Sequence, residues 1–415
     1  MTEKRWVRVI PVAFIMYTIA YIDRTNIALA MSGFSRDLHM THTQAGNATG
    51  FFFWGYLLLQ IPGGYLAERW SAKRVVSILL AAWGVCSVGT AFVQTGDGFL
   101  WMRFLLGVTE GGVWPATLVL LADWFPSRER ARANAYWMLC LPVAVVVSSP
   151  LSGWMLGRWN WRVLLATEGL FPLVWLLAWW FFIDDKPSSA KWISPEERRF
   201  LEETLAQEKA EKQSKAEAPT LGRVFQPFVL LMIVIYFLET SGNYAYLFWL
   251  PSAIEHARRI SHAREGLLFA IPYVFTAIGM VLVSKHSDRH RERRGHVAVS
   301  LAWGGVLLIA GVYTASVSPL LSFSLIALVG AGSYAGLGPF WAIPTENLPP
   351  GVAGLSMGLI NALGNLGGWF GPLMVGYLRQ KTGNFELGFA MLGAGWLVAA
   401  ALAALLLPRR RGSLR

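Results

Sequence analysis

The chain has 415 residues, of which 54% are hydrophobic, 13% aromatic and only 15% charged. That mixture excludes a disordered chain and falls well short of the charge of a soluble globular domain, and a mean hydropathy of +0.44 points to lipid. The net charge of +11 is scattered in short clusters between apolar runs rather than gathered on one face, so it is no nucleic-acid footprint.

Apolar windows between charge clusters and Pro/Gly breaks predict twelve membrane-crossing helices. They lie at about 8–32, 46–67, 75–95, 99–122, 133–155, 163–183, 226–252, 265–284, 297–316, 319–343, 352–377 and 386–407. Lys4, Arg5 and Arg8 precede a first run too long and too aromatic for a cleavable signal peptide. The second and third spans are joined by Gly64-Tyr-Leu-Ala-Glu68-Arg69, with Lys73 and Arg74 beyond. Cys86 and Cys140 both sit in apolar runs, which suggests neither a disulfide framework nor a zinc site.

One long hydrophilic stretch, 184–225, separates the spans into a bundle at 1–183 and a second at 226–415. Inside it Ser194-Pro195-Glu196-Glu197 reads as a helix start, with serine as cap, proline at the first helical position and glutamate three after the cap. A surface helix from there to about Lys212 is expected, as a linker or as a docking site. With both termini cytoplasmic, the cytoplasmic segments hold 26 of the 36 lysines and arginines and the opposite side 8. That bias sets the expected orientation, in an inner (cytoplasmic) membrane.

The two halves repeat. Gly64 to Arg69 is answered by Ser284-Lys-His-Ser-Asp288-Arg289 at an offset of 220, Asp123-Trp-Phe-Pro126 by Glu346-Asn-Leu-Pro349 at 223, and Ser148-Ser-Pro150 by Phe370-Gly-Pro372 at 222. The expected fold is all-α and integral to the membrane, with two pseudo-symmetric six-helix bundles.

These segments carry a resemblance. The Gly64…Glu68-Arg69…Lys73-Arg74 loop resembles the signature between the second and third spans of the major facilitator superfamily, with glutamate where aspartate is usual. "YIDRTNIALA", "FFFWGYLLLQIPGGYLAERW", "RFLLGVTEGGVWPATLVLLADWFPSRERARA" and "DDKPSSAKWISPEER" resemble, more narrowly, its anion:cation symporter family of bacterial organic-acid importers. The resemblance covers essentially the whole chain. It implies proton-driven uptake of a small carboxylate (a sugar acid, an aromatic acid or a dicarboxylate) by a chain expected to act as a monomer. It also implies that Gly64, Glu68, Arg69, Asp288 and Arg289 take part in conformational gating.

Ionisable groups inside spans are functional candidates because lipid makes them costly. Asp23 and Arg24 lie on the first span, Arg103 and Glu110 on the fourth. At about 1.5 Å per residue, Asp23 and Arg103 fall at nearly the same depth and Glu110 two turns deeper, near the midplane. Depth alone therefore predicts an Asp23–Arg103 ion pair and leaves Glu110 as a less compensated carboxylate. A guanidinium suits a substrate carboxylate, and Arg24 is the expected contact. The resemblance points to the same four positions, with Glu110 and Asp23 as proton-coupling groups; the alternative is a closed structural network.

Further substrate contacts are expected at Arg103, Tyr56, Tyr244, Trp341, Asn361 and Asn365, with Asn243 and Glu239 in "YFLETSGNY" as additional candidates. Any of these polar groups could instead join helices. No nucleotide-binding loop, hydrolase nucleophile or metal motif is present in the sequence, so neither cofactor nor metal is expected and energy is expected from an ion gradient or the substrate's own gradient; the resemblance implies a proton gradient. The rival readings are an exporter or facilitator of the same fold and, from other classes, a membrane sensor or an integral enzyme. The last two lack an output domain and a catalytic motif.

Overall fold

The computed structural model describes residues 4–215, 225–258, 261–348 and 350–408. Pro349 of the repeat, the linker residues 216–224 and the basic tail 409–415 lie outside the described residues.

Helix accounts for the chain almost throughout. The first span is Lys4–Asp37; the second joins His42–Gly50 to Phe52–Leu66; the third is Ala72–Thr90. The fourth joins Gly96–Gly111 to Val113–Trp124, the fifth Ser127–Met138 to Cys140–Leu156, and the sixth Trp161–Gly169 to Phe171–Phe182. The seventh to ninth are Pro227–Arg258, His262–His290 and Arg294–Tyr313; the tenth is Pro319–Ser333 with Leu337–Asn347, the eleventh Pro350–Gly364 with Gly367–Thr382, and the twelfth Glu386–Leu406. Ten segments among the described residues are long and apolar enough to cross a membrane, and one of them, His42–Thr90, is 49 residues long and contains two crossings. With the eleventh span they make twelve. The chain is a multi-pass membrane protein.

Local chemistry sets the ends. Thr95 caps the fourth span by accepting from the amide of Gly98 at 3.1 Å, and Ser318 caps the tenth by accepting from Leu321 at 3.3 Å. Ser71 turns extended between the second and third spans and accepts from the amide of Arg74. Asp185, from the linker entrance, accepts from Ser71 Oγ at 2.6 Å and from the amide of Lys73 at 2.8 Å, so the linker begins as part of the first bundle's packing. The linker helix runs Pro195–Lys215, with the amide of Glu197 on Ser194 Oγ at 3.2 Å. Large apolar side chains such as Phe181 (74% exposed) and Leu405 (74%) face outward, where acyl chains solvate them.

The chain forms two compact units, Met1–Ile27 with Phe51–Val145 and Trp159–Glu217, and Ala28–Gly50 with Val146–Arg158 and Ala218–Arg415. The first is organised by glycine contacts between the second and fourth spans. A Cβ on Gly107 would stand 1.9 Å from Phe52 O, and one on Gly111 2.3 Å from Tyr56 O, so only glycine allows this backbone approach. The second unit takes in the far ends of the first, second and fifth spans. A Cβ on Gly46 would meet Pro372 O at 2.4 Å, and one on Gly266 would meet Ser149 O at 2.2 Å. Trp369 Nε1 donates to Asn47 Oδ1 at 2.8 Å in the same packing.

Candidate functional site

Four charges meet inside the first unit, and their pairing differs from the one depth predicts. Arg24 Nη2 donates to Glu110 Oε2 at 2.9 Å, with side chains 4% and 0% exposed. Asp23 makes no ion pair with Arg103. Its carboxylate accepts from Trp83 Nε1 at 2.6 Å, from Ser87 Oγ at 2.5 Å and more weakly from Asn26 Nδ2 at 3.5 Å. The reason is azimuth. Neighbouring residues point about 100° apart around a helix, so Asp23 and Arg24 address different neighbours. Asp23 faces the third span, whose Trp83 and Ser87 are four apart on one face, and Arg24 faces the fourth. Glu110 therefore has a cation at its own level, correcting its reading as an uncompensated carboxylate.

Arg103 is left with unsatisfied donors. Nε and Nη2 are shut off from solvent and have no hydrogen-bond acceptor among the described residues, although the side chain is 2% exposed. Its guanidinium lies 5.1 Å from the Phe52 ring centroid and within Coulombic reach of Asp23, Glu110 and Arg24. Arg24 sits over Tyr56 at 4.8 Å and Phe52 at 5.0 Å, and those two rings stack at 5.5 Å. Glu110 Oε1 likewise has no donor. The glycines at 107 and 111 bring Phe52 and Tyr56 against the span that carries Arg103 and Glu110, so rings replace water around both guanidinium groups. The site is buried and charge-balanced, two arginines against two carboxylates, with donors of Arg103 left over in the fork geometry that a carboxylate matches.

The second unit carries the remaining candidates. Glu239, 6% exposed, accepts from Asn243 Nδ2 one turn on, and Asn243 Oδ1 is buried without a donor. Among the described residues no lysine or arginine pairs with Glu239. Trp396 Nε1 donates to the Glu239 carbonyl at 3.1 Å, holding the seventh span against the twelfth. Tyr236, three residues before Glu239 on the same face, packs edge-on against Trp341 at 5.2 Å and stacks with Phe340 at 5.4 Å. Asn365 Nδ2 donates to Asn361 O at 2.8 Å and Oδ1 at 2.9 Å, so the two asparagines bind one another. Tyr244 is buried beside Phe248 and, one residue beyond Asn243, points about 100° away from it.

At the turn between the second and third spans Glu68 and Arg69 are exposed, Arg69 lies over Tyr65 at 5.5 Å, and Gly64 backs onto Pro115. In the matching turn of the second half Asp288 pairs with Arg293, at 2.5 Å, rather than with Arg289, and Arg293 also reaches Glu346 at 3.1 Å. Sequence reading misses Trp83, Ser87, Phe52 and Tyr236. The first two carried a signal, a polar pair at i, i+4 on an apolar span; the aromatic pair stood out from no other ring.

Comparison with known proteins adds to this geometry. The sequence matches the Major Facilitator Superfamily over residues 13–372. It is 33% identical to a putative tartrate transporter of Agrobacterium vitis over 97% of this chain and 90% of that one. It is 30% identical to a quinolone resistance transporter of Acinetobacter baumannii (93% and 90% covered) and 28% identical to a probable galactarate/D-glucarate transporter of Escherichia coli (94% and 91%). The fold is shared with the inward-open xylose transporter XylE of Escherichia coli, at a TM-score of 0.79 and 15% identity over 98% of both chains.

Proposed function

Because the chain belongs to the Major Facilitator Superfamily, and is thus a transport protein rather than an enzyme, we propose that it imports a small organic carboxylate together with protons. The observation that carries this reading is Arg103, a buried guanidinium whose Nε and Nη2 await an acceptor beside a closed Arg24–Glu110 pair. Buried donors left unmatched are costly, and a carboxylate matches them in shape and charge. The relatives named for tartrate and for galactarate/D-glucarate support hydroxylated dicarboxylates as first substrates to try.

The coupling follows from charge balance. Asp23 and Glu110 cancel Arg24 and Arg103. A proton on Glu110 dissolves its ion pair with Arg24 and leaves one net positive charge, which one substrate carboxylate neutralises. Arg24 then turns its fork to the same anion, so proton and anion enter together. Asp23, held by Trp83 and Ser87, steadies the field around Arg103 and is the second proton-coupling group. In this reading the chain sits in the inner membrane with both termini facing the cytoplasm, an orientation that the arginine and lysine bias supports. Movement between the two access states parts the glycine contacts of the second unit, at Gly46–Pro372 and Gly266–Ser149.

Export of a carboxylate-bearing compound is the second reading, favoured by the 30% identity to a quinolone resistance transporter. One experiment separates the two. Proteoliposomes with an acidic exterior are assayed for accumulation of labelled tartrate or galactarate, with and without a protonophore. Import predicts accumulation that the protonophore abolishes; accumulation only of external drug against the opposite gradient sinks the import reading.

A further inference from the structure

Where the first and sixth spans meet the linker, the first unit has a groove that the transport site does not use. Lys4, Arg8, Val12, Trp175, Phe182 and Trp192 line a cavity of about 570 Å³. Its chemistry is divided by depth. At the mouth stand two cations, Lys4 and Arg8, and no carboxylate among the lining residues. Arg8 is fixed in place: Nε donates to Phe182 O at 3.2 Å, and the guanidinium lies 5.4 Å from the Phe182 ring and 5.0 Å from the Trp192 ring. Trp192 is itself anchored, stacked on Trp124 at 5.0 Å and donating to Asp184 Oδ2 at 2.8 Å.

Below the mouth the wall is apolar except for one group. Trp175 stands seven residues from Phe182, about 10 Å further along the helix, and its indole N–H is closed to solvent with no acceptor among the described residues. Val7, at the edge of the lining (71% exposed), and Leu177 beside it (63%) open the groove toward the bilayer. A ligand that fits all of this carries an anion at one end, an uncharged acceptor deeper in and hydrocarbon beyond.

We propose that this groove binds an anionic phospholipid, with its phosphate between Lys4 and Arg8, a glycerol ester carbonyl on the Trp175 N–H, and an acyl chain along Val12 and the sixth span. A soluble phosphate satisfies only the mouth, and a zwitterionic lipid presents its own cation to the two basic groups. Bound lipid bridges the start of the first span to Trp192 and so clamps the N-terminal segment to the linker entrance. Arg5, next to the groove, already ties that segment to Glu129 and Glu197 at 2.8 Å each.

The test uses the full chain, delipidated in a neutral detergent, with unfolding temperature as readout. The additives are dioleoylphosphatidylglycerol, dioleoylphosphatidylcholine and glycerol phosphate. Saturable stabilisation by phosphatidylglycerol alone is expected. Lys4→Gln, at an exposed side chain, should weaken its apparent affinity about fivefold, the worth of one basic group at an anionic lipid surface. Trp175→Phe should weaken it further without altering the preference for the anionic headgroup. Equal stabilisation by phosphatidylcholine, or full phosphatidylglycerol affinity in Lys4→Gln, overturns the proposal. Stabilisation by glycerol phosphate as strong as by the lipid also overturns it, and reassigns the mouth to a free anion.

Discussion

Replacing Glu110 by glutamine separates its charge from its shape. Glu110 and Arg24 are 0% and 4% exposed and 2.9 Å apart. Removing one partner of such a buried pair costs about 3–5 kcal/mol, and the glutamine amide oxygen still accepts from Arg24, so a loss near about 3 kcal/mol is expected in the absence of substrate. Added substrate should recover much of it, because its carboxylate becomes the missing counter-charge. The variant should therefore bind the anion more tightly than the parent. Transport behaves oppositely. One proton moving down one pH unit supplies about 1.36 kcal/mol, a factor of ten in concentration. Across about 2 pH units a one-proton symporter can reach about 100-fold accumulation, and Glu110→Gln should stop near about onefold while retaining exchange of labelled for unlabelled substrate. The assay is proteoliposome uptake under an imposed pH gradient, paired with counterflow. Accumulation by the variant as steep as by the parent, with pH as sole driving force, would refute Glu110 as the coupling group and move attention to Asp23 or Glu239.

Arg103→Lys should weaken substrate binding about 10- to 100-fold, the loss of one charge-assisted hydrogen bond, measured by calorimetry, while Arg24→Lys should do less; the reverse order would make Arg24 the main anion contact. Asp23→Asn leaves the acceptor of Trp83 and Ser87 partly in place but adds an uncancelled positive charge beside Arg103, so binding should persist while pH-driven accumulation falls, and unchanged accumulation would remove Asp23 from the coupling. Gly266→Val would place its Cβ 2.2 Å from Ser149 O and force the two backbones apart, so a cysteine at the buried position 152 should become reactive to a membrane-impermeant maleimide in that background; equal protection in both backgrounds would show that this contact does not hold the second unit closed. Glu239→Gln should leave carboxylate binding intact and change only the ranking among acids with different hydroxyl patterns, read as competition against labelled substrate; an unaltered ranking would make Glu239 purely structural.

Much of this protein is legible without coordinates. Twelve apolar windows correspond to twelve helical spans because bilayer thickness and helical rise leave little freedom in length, and lipid tolerates no other backbone solution for a chain of this kind. The four charges of the first and fourth spans stand out for the same reason: their cost in hydrocarbon makes them conspicuous in any apolar run. The partnership among them was not legible. Rise per residue gives depth, which put Asp23 level with Arg103, but pairing depends on the direction each side chain takes around its axis and on which helix lies there. Those are set by Gly107 and Gly111, which bring the second span onto the fourth, and by Trp83 and Ser87, which claim Asp23 from the third. The same holds for the ends of the first, second and fifth spans, which belong by sequence to the first half and fall in the second unit, the second and fifth by close backbone approach. Length, depth and charge are properties of one helix in lipid and can be read along a chain; azimuth and neighbour are properties of pairs of helices, decided only when the glycine faces meet.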